Sequence, residues 1–313
     1  MIEVLRWGRA VYETDADLAG EREGIEALGL RWTLWEPRSL PPLLGEAAVL
    51  VVHSGVRLGE AELGAFGGQL VVTTTSGFDH IDLDAAARRG LQVARSPLAR
   101  RDAVVEHALA AMIGLGRRLD ALHGYARDGV WARAQLPGLA PVGLSGAPVA
   151  VIGVGVIGAH MAAVLEALGA EVMEVDPHAP VSPRPRWPLE EALRRARFVT
   201  LHCALGPTSR GLIDADRLDL LPQGAVVVNT ARGDVLDVAA AVARVAAGRL
   251  GGLAVDVFPE EPWPLLQAHA VPGVWLTPHA SGYAEGLGRR VAASVIAAVR
   301  AWARGEAPPF RVI

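Results

Sequence analysis

A glycine cluster set between two short apolar runs constrains this chain more than any other feature. Residues 148–176 read P-V-A-V-I-G-V-G-V-I-G-A-H-M-A-A-V-L-E-A-L-G-A-E-V-M-E-V-D. Val149 to Ile152, bounded by Pro148 and Gly153, has the length and composition of a buried parallel strand. Gly153-x-Gly155-x-x-Gly158 then opens a helical pattern in which Met161, Val164, Leu165 and Leu168 share one face, and Gly169 stands where a helix C-terminal glycine belongs. A second strand, Glu171 to Val175, ends at Asp176, 18 positions after Gly158. In that setting each glycine has a task. Gly153 permits the tight turn, Gly155 lets backbone approach a pyrophosphate, and Gly158 lets the helix close on the sheet. Phosphates would meet the unpaired N–H groups of the first helical turn, at Val156 and Ile157, and the positive end of the helix dipole. Asp176 would accept both ribose hydroxyls, which favours NAD over the 2′-phosphorylated NADP, while Arg184 and Arg186 lie close enough in sequence to pull the other way. The stretch predicts a dinucleotide site.

With 313 residues the chain can bury a sizeable core and predicts two domains. A hydrophobic content of 51% against 20% charged residues excludes disorder. A net charge of −4 and a pI near 6.1 argue against nucleic acid or an anionic membrane as partner. The one cysteine, Cys203, permits no intramolecular disulfide and suits a reducing cytoplasm. Met1 leads straight into I-E-V-L-R-W, without a signal-peptide pattern. Ala147 to Leu165 is an uncharged run, but its glycines and strand-turn-helix logic make it a soluble core rather than a membrane span.

The N-terminal part alternates strands (Ile2 to Trp7, Leu30 to Trp35, Ala48 to His53, Leu70 to Thr75) with a helix carrying Leu18, Ile25 and Leu28. Two polar loops follow its strands, His53-Ser54-Gly55 and Ser76-Gly77-Phe78-Asp79-His80. Ligands in open α/β sheets bind beyond the carboxyl ends of strands, so Ser54, Gly55, Ser76 and Gly77 are candidate substrate contacts. From Asp102 to Arg118 a helix is predicted with Val104, Val105, Ala108, Leu109, Met112, Ile113 and Leu115 nearly encircling it, hence buried on most faces. Leu119 to Gly146, with Trp131, has little periodicity and reads as either a disordered segment or an irregular arm that packs elsewhere, and helix and arm together predict a homodimer. After the proline-rich connection Pro177 to Pro188, strands at Phe198 to His202, Ala225 to Asn229, Leu253 to Val257 and Val274 to Thr277 alternate with helices, as in one parallel sheet covered on both faces. A last helix, Tyr283 to Arg304, can return to the first unit.

Three strand ends carry residues that a packed core would not choose. Val226-Val227-Val228-Asn229-Thr230-Ala231-Arg232-Gly233 ends in an arginine, Leu253 to Pro262 ends in the acids Glu260 and Glu261, and Trp275 to Gly282 holds His279. An anion clamp, a carboxylate and an imidazole beside a dinucleotide are what hydride transfer to a 2-keto acid needs. At this point the sequence resembles the D-isomer-specific 2-hydroxyacid dehydrogenases, of the glyoxylate/hydroxypyruvate reductase or phosphoglycerate dehydrogenase kind. The matching pieces are T-S-G-F-D-H-I-D-L-D-A-A-A-R-R-G, V-V-E-H-A-L-A, V-I-G-V-G-V-I-G, L-H-C-A-L, V-V-N-T-A-R-G-D, A-V-D-V-F-P-E-E-P and T-P-H-A-S-G. The resemblance implies two Rossmann-like, doubly wound parallel-sheet domains. One is a substrate domain built from both chain ends, 1–98 plus 284–313; the other is a dinucleotide-binding domain, 99–283, through which a homodimer forms.

The same resemblance implies a catalytic triad of Arg232, Glu261 and His279, with Asp256 facing the nicotinamide carboxamide and Thr230, Ala231 and His279 beside the cofactor. The residues themselves support those roles. Arg232 can grip a carboxylate bidentately and polarise the adjacent carbonyl. His279 can give and take the proton, with Glu261 fixing its tautomer and stabilising positive charge on the ring. His202 and His80 read as structural histidines, and no spacing suggests a metal site. Two departures stand out: His53-Ser54 where many relatives have Arg-Ser, and Ala204-Leu205 where the family has Pro-Leu. The alternatives are an NADH-binding regulator on the same fold and a dehydrogenase of a phosphorylated hydroxy acid, which would need further arginines near the substrate.

Overall fold

The computed structural model describes residues 1–179, 182–263 and 271–313; part of the proline-rich connection, 180 and 181, lies outside them. In chain order the elements are β1 (Glu3–Trp7), α1 (Asp15–Glu26), β2 (Arg31–Trp35), β3 (Val49–Val52), α2 (Glu60–Ala65), β4 (Leu70–Thr73), α3 (Leu83–Arg88), β5 (Gln92–Arg95), α4 (Leu98–Gly116), α5 (Leu119–Arg127), α6 (Leu136–Leu139), β6 (Pro148–Ile152), α7 (Val156–Ala167), β7 (Glu171–Val175), α8 (Leu189–Arg195), β8 (Phe198–Leu201), α9 (Ala215–Leu220), β9 (Val226–Asn229), α10 (Val238–Ala246), β10 (Gly252–Val255), β11 (Val274–Leu276) and α11 (Leu287–Ala303). They fall into two compact units: Met1–Arg100 with Tyr283–Ile313, and Arg101–Gly282. Both chain ends therefore build one unit.

The first unit is a five-stranded sheet of order β2-β1-β3-β4-β5, parallel throughout. Its central strands are apolar on both faces because both faces are covered: Leu5, Leu50, Val52 and Val71 enter one core layer, and Val4, Val49, Val51 and Val72 enter the other with Val291, Val295 and Val299 of α11. Helix starts are set locally. Thr14 and Asp17 form a capping box for α1, and Asp82 caps α3. One polar cluster is buried here. Arg6, 0% exposed, donates to Glu21 at 2.8 Å and to Glu13 at 2.6 Å, and Trp32 donates to Glu21 at 3.0 Å. Burial works against the Arg6 charge, but Glu21 and Glu13 more than offset it and hold the guanidinium charged; burial in turn pushes the Glu21 carboxyl upward.

The second unit is a six-stranded parallel sheet of order β11-β10-β9-β8-β6-β7. The strand order reverses at β6, which places the β6–α7 turn at a topological switch point. Ile152, Leu201, Val227 and Leu253 pack against α8, α9 and α10, whereas Val149, Val151, Val226 and Val228 pack against α4 and α7.

Several expectations need correction. The short β5 was missed because four residues, Gln92 to Arg95, carry only two fully buried side chains. Helix α4 starts at Leu98, and Leu119 to Gly146 is not irregular throughout, since it holds α5 and α6. Helix α4 is buried on most faces as expected, with Ile113 on its exposed side at 37%. Leu168 is 44% exposed, just past the end of α7 rather than on its packed face. The last helix begins at Leu287, because Gly286 at φ 72° precedes it in the left-handed region.

Candidate active site

The dinucleotide loop follows directly from β6. Gly153 sits at φ 88°, and a Cβ on Gly158 would overlap the carbonyl oxygen of Gly153, so turn and helix touch backbone to backbone. Gly155 differs. A Cβ there would meet nothing within 4 Å, and no side chain caps α7 at this position. That leaves an open approach to bare N–H groups at Val156 and Ile157, the surroundings a pyrophosphate requires. Asp176 closes the loop: one carboxylate oxygen accepts from Val154 N–H at 2.8 Å, the other from His178 and Ala179 N–H at 2.8 and 3.0 Å. Its orientation is thereby fixed from two sides.

The two nearby arginines are already engaged. Arg184 donates to Glu166 at 2.6 Å and to Glu174 at 3.1 Å, and Arg186 donates to the Asp176 carbonyl at 2.5 Å and lies 3.7 Å from the buried Glu174. His202 lies under the glycine loop with Nε2 2.9 Å from the Thr200 hydroxyl, and burial pushes its pKa down to about 4, as befits a neutral structural histidine. Burial likewise pushes the Cys203 thiol up to about 11. At the Ala204-Leu205 departure, the Ser209 hydroxyl donates to the Ala204 carbonyl at 2.7 Å and accepts from Gly206 N–H at 2.8 Å, so the turn is held without a proline.

The adjacent strands β9, β10 and β11 deliver Arg232, Glu261 and His279 at their carboxyl ends. The Arg232 loop is clipped by Asn229, 0% exposed, whose Oδ1 accepts from Ala231 N–H at 3.0 Å and whose Nδ2 donates to the Arg232 carbonyl at 2.9 Å. A Cβ on the next residue, Gly233, would overlap the Phe258–Pro259 backbone, so the arginine loop and the glutamate loop are packed directly together. Thr230, in the same loop, has a buried hydroxyl with no partner, an atom in want of a ligand. Glu261 accepts from Phe258 N–H at 3.0 Å through Oε1 and meets His279 Nδ1 at 2.8 Å through Oε2. Glu260, the sequence rival, is exposed and lacks that contact. His279 Nε2 has no hydrogen-bond partner among the described residues, on a side chain 53% exposed.

His279 has φ 53°, a left-handed backbone that costs a non-glycine residue about 1–2 kcal/mol. Asp256 holds it there. This carboxylate, 1% exposed, accepts from the Thr277 hydroxyl at 2.6 Å, from Ala280 N–H at 2.8 Å and from Ser281 N–H at 2.9 Å, while its own carbonyl accepts from His279 N–H at 2.8 Å. Since the Thr277 proton goes to Asp256, His107 Nε2 on α4 is the donor across its 3.2 Å contact to the Thr277 oxygen. Asp256 is thus a brace of the histidine loop, with three of its acceptor positions used within the chain. Thr277 and His107 were missed in the sequence, where T-P-H and V-V-E-H lie 170 positions apart at these two residues.

In the first unit, His53 accepts from Gly55 N–H at 3.1 Å through Nδ1, and Ser54 and Gly55 are exposed. Burial first, and then the Arg6 charge, push the His53 pKa down. Ser76 has a buried hydroxyl without a partner, and the Gly77 carbonyl accepts from Thr75 at 2.7 Å.

A doubly wound parallel sheet, a glycine-turned helix at its switch point, and an arginine, a glutamate–histidine pair and a braced loop along the same edge define a dinucleotide-dependent oxidoreductase fold. Residues 109–281 match the family model of the D-isomer specific 2-hydroxyacid dehydrogenase, NAD binding domain. The chain belongs to the D-isomer-specific 2-hydroxyacid dehydrogenase family, and its cofactor is NAD. It is 31% identical over 302 residues to D-3-phosphoglycerate dehydrogenase of Mycobacterium tuberculosis (strain ATCC 25618 / H37Rv), covering 92% of this chain and 56% of that protein. A 2-hydroxyacid dehydrogenase homolog of Haemophilus influenzae is 31% identical over 217 residues, covering 68% of this chain and 65% of the relative. The chain spans about half the length of the first of these relatives. Among solved structures, the TT0316 protein from Thermus thermophilus superposes with a TM-score of 0.80 at 28% identity, over 100% of both chains.

Proposed function

We propose that the protein transfers hydride between NAD(H) and a small D-2-hydroxy acid or its 2-keto acid. The observation that carries this reading is the 2.8 Å His279–Glu261 pair, one strand end away from Arg232 on the edge that also bears the glycine loop. Bound at Gly153, Gly155, Val156, Ile157, Gly158 and Asp176, with Thr230 and Ala231 alongside, the nicotinamide cofactor supplies or accepts the hydride. Arg232 binds the substrate carboxylate and polarises the neighbouring carbonyl. His279 donates a proton from Nε2 to the carbonyl oxygen in reduction and recovers it in oxidation. Glu261 holds Nδ1–H and steadies the charge that forms on the ring. Ser54, Gly55, Ser76 and Gly77 line the substrate from the unit made of both chain ends, which we take as the substrate domain.

NAD rather than NADP suits Asp176, because Arg184 and Arg186 are occupied by Glu166 and Glu174 and have no call on a 2′-phosphate. A higher kcat/KM with NADPH than with NADH would overturn that assignment. The principal test is NADH oxidation with a panel of 2-keto acids. His279→Gln should lower kcat by about 10²–10⁴-fold while NADH still binds. An undiminished rate would remove His279 from the mechanism. Tight NADH binding with no turnover across the panel would favour the regulator instead.

We further propose a homodimer. Leu119, Val130 and Trp131 are 47%, 43% and 87% exposed, and α5 buries none of its residues, so an apolar arm awaits a second copy. Sedimentation as a monomer at micromolar concentration would contradict it. A chain with a single cysteine fits a cytoplasmic setting.

A further inference from the structure

The carbonyls of residues 73–77, from the last residue of β4 into the loop beyond it, are all held by the chain itself. Those of Thr73 and Thr75 accept from the Ser96 hydroxyl and N–H, each at 3.0 Å, and that of Thr74 accepts from Arg100 at 2.5 Å. The Ser76 carbonyl accepts from Arg95 at 3.1 Å, and the Gly77 carbonyl from the Thr75 hydroxyl at 2.7 Å. The peptides here are trans, and a trans peptide sets its N–H opposite its C=O. With the carbonyls of Thr75, Ser76 and Gly77 turned onto the protein, the N–H groups of Ser76, Gly77 and Phe78 are turned the other way. None of those three donates a hydrogen bond among the described residues, although each residue is half-buried. The loop is built with its donor side outward, at the sheet edge where ligands of such folds bind.

The Gly77 carbonyl is held by a hydroxyl, whose proton can rotate to another acceptor. The Thr75 oxygen lies 2.8 Å from the Thr73 oxygen, which in turn lies 3.0 Å from His80 Nε2. Counting protons fixes the direction of this chain. Thr75 spends its only proton on Gly77, so Thr73 donates to Thr75; Thr73 then has no proton left, so His80 donates from Nε2. With the other tautomer Nε2 would accept, Thr73 would turn its proton to the ring and Thr75 its proton to Thr73. The Gly77 carbonyl would then lose its donor. Thr73 is 0% and His80 8% exposed, so water does not readily stand in for a missing member. The backbone of His80 ties down the neighbouring loop as well. Its carbonyl accepts from Leu58 N–H at 2.9 Å, and the Leu58 carbonyl accepts from Asp82 N–H at 2.8 Å, which closes the stretch that begins at His53-Ser54-Gly55.

We propose that His80, which reads as a structural histidine in sequence, is a positioning residue for substrate: its Nε2–H sets the direction of the Thr73–Thr75 hydroxyl chain and so keeps the N–H edge of residues 76–78 presented. The proposal rests on the hydride-transfer reading above, in which Ser76 and Gly77 line the substrate, and deepens it by naming what holds them. His80 acts through the loop and supplies no proton to the reaction.

The experiment is steady-state reduction, with NADH, of the keto acid that wild type uses best. His80→Leu removes the first donor of the chain and Thr75→Val its last hydroxyl. Each should raise KM for the keto acid by ~10-fold, the worth of one hydrogen bond made in ground state and transition state alike, with kcat changed much less and KM for NADH unmoved. His80→Gln keeps an N–H near the Nε2 position and should bring KM back most of the way. Because one chain carries the effect, His80→Leu added to Thr75→Val should raise KM no further, whereas independent losses would multiply to ~100-fold. Unchanged KM in both single variants, a glutamine variant as poor as leucine, a matching rise in KM for NADH, or effects that multiply would each overturn the proposal while leaving hydride transfer standing. Should the variants fail to fold, NMR of the imidazole nitrogens above neutral pH decides on wild type: His80 must carry its proton on Nε2, and a proton on Nδ1 alone overturns the chain. Should wild type reduce no keto acid, the hydride-transfer reading is what fails, and the same spectrum judges the chain alone.

Discussion

Thr277→Val removes one hydroxyl and almost no volume, and that hydroxyl braces the loop of the proposed proton donor His279 through Asp256. The Thr277 oxygen gives its proton to Asp256 at 2.6 Å and accepts from His107 at 3.2 Å. Asp256 is 1% exposed, so water cannot readily replace the lost donor, and a weakened buried charge-assisted hydrogen bond costs about 1–3 kcal/mol. The same carboxylate, with its own carbonyl, holds His279 at φ 53°, a conformation that itself costs about 1–2 kcal/mol. The two quantities are comparable, so the loop is free to relax once the brace is weakened. A displacement of about 1 Å at the proton donor is enough to slow transfer ~10²-fold. Steady-state reduction of a keto acid with NADH should therefore show kcat down by roughly 10- to 100-fold, with KM for the keto acid changed much less, since Arg232 stands on a separate loop. Thr277→Ser keeps the hydroxyl and should restore most of the rate. If Thr277→Val matches wild type in kcat, or if the serine variant is as slow as valine, the brace does not govern the histidine.

Arg6→Met leaves Glu13 and Glu21 buried without their cation, and should destabilise the unit built from both chain ends by about 3–5 kcal/mol, read from urea unfolding; a loss below about 1 kcal/mol would mean that the carboxylates find other partners. His202 supplies a pH dependence. Its folded pKa of about 4 lies below the ordinary 6.5, so the unfolded chain binds the extra proton. The neutral ring's contribution is complete above pH 6.5 and is lost as pH falls towards 4, by up to about 3 kcal/mol. His202→Asn should flatten this part of the curve between pH 7 and pH 5, and an unchanged slope in thermal melts would rule His202 out as its source.

What the sequence by itself determined was everything written at short range. Gly153, Gly155 and Gly158 between an apolar run and an amphipathic helix can serve only one backbone path, so turn, strand and helix N-terminus were legible together. Parallel strands buried on both faces announce themselves as apolar runs, and the residues just past them, Arg232, Glu261 and His279, stand out because a core would not select them. Four-residue β5 and the helices of the arm were not legible, because edge strands and exposed helices carry too little periodicity.

Tertiary structure alone decided which partners these residues meet. The resemblance implies that Asp256 faces the cofactor, and only the fold shows that three donors from residues 277–281 also meet its carboxylate and that His107, far away along the chain, meets Thr277 beside it. Arg184 and Arg186 read as a bid for a phosphate until Glu166 and Glu174 are seen to hold them. The physical reason is common to both. A pattern of residues records which surfaces must be buried, but the state of a charge depends on what the fold brings within about 4 Å of it, and that pairing is set by strand order and helix packing rather than by spacing along the chain.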